Sequence, residues 1–176
     1  MISELFIKQY FKSLAESSKD IAHREDRKSF HVLRNLLLDE FDAALKNMVN
    51  KIALILEIGE GTFGSDDNVQ DNPEISLYFV IRTDGAWDNI DAARDQAKVI
   101  AAKFLARMRY DLEDKHTRND GVDGILRQHK IKFNTSGGYR NLGNIGEDEK
   151  WTGKMLDLKL TGIGETNFAY NSNDWN

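Results

Sequence analysis

Gly59, Gly61 and Gly64 have the G-x-G-x-x-G spacing of a dinucleotide-phosphate loop, directly after the apolar stretch "IALILEI". That chemistry needs the last glycine to open a helix whose first amides face the pyrophosphate. Here only eight residues separate Gly64 from Pro73, and "SDDNVQDN" is acidic and turn-forming. A crossover helix of roughly ten residues does not fit, and Asp66, Asp67 and Asp71 would repel phosphate. The segment therefore reads as the link between two strands, with no nucleotide cofactor.

The same acidic loop offers oxygen ligands in Asp66, Asp67, Asn68, Asp71 and Glu74, and "DKHTRNDGVDG" offers Asp114, His116, Asp120 and Asp123. Neither has the alternating ligands, central glycine and distant glutamate of a calcium loop. Both read as solvated loops. The four histidines, His23, His31, His116 and His129, form no H-E-x-x-H pair, and no serine stands in a G-x-S-x-G turn. His23 and His31 lie in a polar connector, where exposure is expected. No catalytic, metal-binding or cofactor-binding residue is assigned, and the chain is not expected to be an enzyme. A metal-dependent nuclease or other hydrolase, built on carboxylates that meet only in space, is the alternative class.

Composition narrows the remaining classes. The 176 residues carry a net charge of -5, with 30% charged and 40% apolar side chains, a balance typical of one globular domain. "HREDRKSFH" and "RQHKIKF" are locally basic, but Glu25 and Asp26 dilute the first and the second holds only Arg127, Lys130 and Lys132. Neither reaches the density of a nucleic-acid stripe. There is no cysteine, so disulfides and thiolate chemistry are excluded. No apolar run approaches the roughly 20 residues that span a bilayer, and a cytosolic protein is expected.

These groups must be positioned by a small set of elements. Ile2, Leu5, Phe6, Tyr10, Leu14 and Ala15 recur at helical spacing, as do Leu37, Phe41, Ala44, Leu45 and Met48. The longest helix is predicted over 87–113, with Ile90, Ala93, Ala97, Ile100, Phe104, Met108 and Leu112 on one stripe. Between the first two helices, "SSKDIAHREDRKSF" reads as a solvated connector that ends in a short extended piece near Phe30 to Leu33. Strand alternation marks 52–58 and 74–82, each with one apolar and one mixed face. Weaker strands are expected near 129–135 and after Trp151, joined by a long Gly-rich loop.

The predicted fold is α+β: about four antiparallel strands packed with two or three helices, covered mainly on one face. Residues 1–163 form one domain and 164–176 an extended tail. The loops 59–73 and 136–150 are too long for ordinary hairpins. Phe168, Tyr170 and Trp175 stand in the polar tail, where leaving each in water forgoes roughly 1.5–3 kcal/mol of burial. With Phe63, Tyr139 and Trp151, they are the candidate subunit-interface residues.

The order of helix, "HREDRKSFHVL" connector, helix, strand pair, long helix and terminal hairpin resembles bacteriophage tail-terminator and head-to-tail connector (neck) proteins. "FKSLAESSKDIAH", "IALILEIGEGTFGSDDNVQDNPEISLYFVI" and "FLARMRYDLED" are similar to uncharacterised phage-like proteins of Bacteroidetes. The resemblance implies a structural virion protein assembled in the bacterial cytoplasm. It would be one subunit of a homo-oligomeric ring, six copies being one expected number, that caps the tail tube or joins it to the capsid. Its implied partners are tail-tube or connector proteins, with DNA passing through the lumen unbound and no membrane contact.

Overall fold

A computed structural model describes residues 2–33, 38–63, 71–135, 138–146 and 150–162. The chain opens with α1, Glu4–Ser17, started by the Ser3 side chain, which accepts the Leu5 amide. Strand β1, Phe30–Leu33, follows, then α2, Leu38–Lys46. The paired strands β2, Ile52–Phe63, and β3, Asp71–Arg82, lead into the long α3, Trp87–Tyr110. The short α4, Ile125–Gln128, precedes β4, Ile131–Asn134, β5, Tyr139–Ile145, and β6, Trp151–Gly162.

The fold is α+β, but among the described residues the sheet has six strands rather than four and is mixed rather than antiparallel. Strand β1 runs parallel to β2, in register Phe30 with Leu54. The connection through α2 returns the chain to the same end of the sheet, as a parallel pair requires. From β1 the order is β2, β3, β6, and beyond β6 both β4 and β5 pair with its far edge, β4 near Gly162 and β5 near Trp151. The stretch 139–145, expected as loop, is thus a strand. Likewise β2 and β3 pair out to Phe63 and Asp71, so much of the expected 59–73 loop is β-ribbon. The tail 164–176 lies outside the described residues.

Helices cover both faces, where one was expected. Leu54, Leu56, Leu77 and Phe79 meet α1 and α3 in the larger core, through Phe11, Leu14, Ile100 and Phe104. The opposite residues Ala53, Ile55, Tyr78 and Val80 meet α2 through Ala44, Leu45 and Met48. Both sets of alternate positions on these strands carry apolar or aromatic side chains, so each face has something to bury.

The connector after α1 is also less solvated than its composition implies. Ile21, His23 and Ser29 are buried, because Ser29 Oγ and Asn50 Nδ2 both donate to the Ile21 carbonyl and the Ser29 amide donates to His23 Nδ1. Burial, ahead of the nearby Lys12 and Lys28, holds the His23 pKa below its usual value, with Glu16 and Glu25 opposing. A His whose folded pKa is depressed adds stability that is complete above its unfolded pKa, about 6.5, and is lost as pH falls through the folded value. Urea midpoints should therefore drop on acidification below about pH 6.5, and H23Q should remove that component of the slope.

Candidate functional site

Two groups of polar side chains occupy the sheet, one on each face. On the α2 face, Glu57, Ser76 and Asp157 lie on one rung across β2, β3 and β6. Tyr78 donates its hydroxyl to Glu57, Ser76 Oγ donates to Asp157 at 2.7 Å, and Arg140 donates to Asp157 at 2.9 Å. Burial, then the Glu57 carboxylate, pushes the Tyr78 hydroxyl pKa up and keeps it a donor. This is the closest arrangement to the paired carboxylates of a hydrolase, yet the two acids are two strand spacings apart, about 10 Å, and each already accepts a hydroxyl. Among the described residues no group of three or more His, Asp or Glu could hold a metal.

On the α3 face, β5 and the neighbouring helix gather cations around Tyr139. Asn141 pairs in register with Lys154, and Lys154 Nζ donates to Asn141 Oδ1. Lys154 Nζ lies 5.0 Å from the Tyr139 ring centre and Lys98 Nζ, from α3, lies 5.2 Å from it. The hydrogen bond from Lys98 holds the Tyr139 hydroxyl below its ordinary pKa and raises that of the lysine. Arg94, one helical turn before Lys98, donates to the Leu142 carbonyl, fastening α3 to β5.

A third network closes the base of α3. The buried Asp111 accepts Tyr10 Oη at 3.0 Å and Arg107 Nε at 3.1 and 3.2 Å, with Arg118 Nη1 at 3.7 Å. Arg118 lies over the Tyr110 ring at 3.9 Å and pairs with Asp120 at 2.6 Å. Two of the acidic residues of this loop build its turns. Asp114 accepts the His116 and Thr117 amides and Asp123 the Lys115 amide.

No protein-family model and no curated protein matches the chain. Of the sequence-predicted interface residues, Tyr139 and Trp151 have described side chains. Tyr139 is half exposed on the edge strand β5, whereas Trp151 is buried in the second core beside Leu45 and Tyr78 and offers no outward surface. The Phe63 backbone forms the last described rung of the β2–β3 ribbon; its side chain, and Phe168, Tyr170 and Trp175, lie outside the described residues. Of the glycine motif, Gly59 and Gly61 sit within β2 and Gly64 is not described; the element that follows is a strand, not a helix. No helix among the described residues is long and apolar enough to cross a membrane. Sequence reading missed Lys98, Asn141 and Lys154; the available signal was the alternation in "WTGKMLDLKL", which puts Lys154 on the same side as the apolar Leu156 and Leu158.

Proposed function

We propose that the chain is a structural subunit that assembles with further copies of itself, of the kind that rings the end of a phage tail tube or joins tail to capsid. The observation that carries this reading is the exposed strand β5. Its seven residues, YRNLGNI, hold one charge, Arg140, and no strand pairs with its outer edge among the described residues. An edge so lightly charged is a ready template for another strand. The opposite margin of the sheet is the four-residue β1, a different edge. Joining two unlike edges is a head-to-tail contact, and repetition of that contact closes a ring or extends a filament.

Light scattering and negative-stain microscopy of the full chain test this. Higher-order species and ring particles are the expected result. A Cβ at Gly143 meets nothing within 4 Å and Asn144 is exposed, so the pair G143K/N144K adds two charges to the edge without a clash. It should shift the population toward the 20.1 kDa monomer while leaving circular dichroism unchanged. A wild-type chain that remains monomeric at all accessible concentrations, alone and with tail-tube protein, overturns the proposal.

A further inference from the structure

The cations around Tyr139 have an unusual balance. Lys154 retains only 7% of its surface, and its one recorded hydrogen bond goes to the neutral Asn141. Among the described residues neither Lys154 nor Lys98 has a carboxylate within ion-pair distance. A nearly buried ammonium without an opposite charge is costly unless something supplies one. Among the described residues the surrounding elements do not supply it. On α3, Asp91 is engaged by Arg94 at 3.6 Å, and Asp95 acts on Lys98 and Tyr139 only through space. The strand on the other side of Lys154 presents Phe79.

We propose that Lys98, Tyr139, Asn141 and Lys154 form a binding site for a phosphate-type oxyanion at the junction of α3, β5 and β6. Two ammoniums match the charge of a phosphate dianion, and lysine binds phosphate as a point charge with freely turning donors. The Tyr139 hydroxyl and Asn141 amide add neutral donors on the same side of the strand. Lys154 is held by its place in β6 and Lys98 by α3, so the site is preorganised by the core rather than by a loop. This inference does not rest on the assembly reading: it concerns the inner face of β5, whereas assembly concerns its outer edge.

The test uses the full chain with 13C-labelled lysine, titrated with inorganic phosphate against sodium chloride at equal ionic strength. The Cε–Hε signals of Lys98 and Lys154 should move saturably with phosphate alone. Those of Lys8 and Lys103, which face Glu4 and Asp20, should follow chloride and phosphate alike. K154M keeps the aliphatic stem and should weaken binding about tenfold; K98A, at an exposed position that cannot threaten folding, should weaken it about threefold. All lysine signals drifting together, or both variants binding like wild type, overturns the site. A parallel titration with a short single-stranded DNA separates the sources. Tighter binding that both variants weaken assigns the site to a nucleic-acid backbone, and a response to inorganic phosphate alone assigns it to a small oxyanion.

Discussion

Gly153→Ala is expected to cost about 3 kcal/mol or more, lowering Tm by about 10 °C. Gly153 lies in β6 opposite Val80, with β3 on one side and β5 on the other. A Cβ built there meets the Phe79 carbonyl oxygen at 1.9 Å and its carbon at 3.0 Å. Both belong to the backbone, so no side chain can swing away. The strands must separate, and β3 carries Leu77 and Phe79, both fully buried in the larger core. The loss therefore combines ladder hydrogen bonds with core packing. G143A is the control, since its added methyl enters open space and should stay within about 0.5 kcal/mol of wild type. Urea unfolding followed by circular dichroism reads both. A G153A chain within about 1 kcal/mol of wild type would mean that β3 and β6 do not approach as described.

Asp111→Ala is the second large effect, again about 3 kcal/mol. The carboxylate is 98% buried and takes the Tyr10 hydroxyl from α1 and the Arg107 guanidinium from its own helix. Removing it leaves the buried Tyr10 hydroxyl without its acceptor, and unpaired buried donors cost more than the bond itself gains. The backbone of Asp111 is equally committed. Its carbonyl accepts the Arg127 amide, and Gly124 approaches so closely that an added Cβ would lie 2.3 Å from that oxygen. D111N keeps the shape and an acceptor for Tyr10 and should lose less. A double-mutant cycle with Y10F isolates the Tyr10 contact, expected at about 1–2 kcal/mol. Additivity of the two substitutions would show that this contact does not join α1 to α3.

Two kinds of element were readable in advance. The stripes of α1 and α3 and the alternation of β2 and β3 are local patterns, repeated over many residues, and the structure places most of those side chains as the patterns imply: Ile90, Ala97, Phe104 and Met108 inward, Leu54 and Leu56 against them, whereas Leu5 of the α1 stripe faces solvent. Strand β5 gave no such signal. "YRNLGNI" is polar and holds a glycine, and it becomes a strand because the free edge of β6 accepts it and because Leu142 and Ile145 reach the second core. His23 was misplaced for a similar reason. Its neighbours in sequence are charged, but the groups that bury it, Ser29 and Phe30, arrive with β1.

The candidate site shows the same division. Tyr139 was named from its type and position, but its meaning depends on Lys98 and Lys154, which come from a helix and a strand far apart in sequence. Trp151 was named on the same grounds and went inward, because its register opposite Arg82 turns it toward α2.

By itself, the sequence determined the α+β class, the long central helix, the apolar strand pair and the absence of thiol chemistry. Each depends on residue type or on a repeat within one segment. Only the tertiary structure decided that the sheet is mixed, that both faces are covered, which strand edges lack a partner among the described residues, and that two lysines share one aromatic ring. Those outcomes follow from strand order and register, and a one-residue slip in register sends every side chain of a strand to the other face.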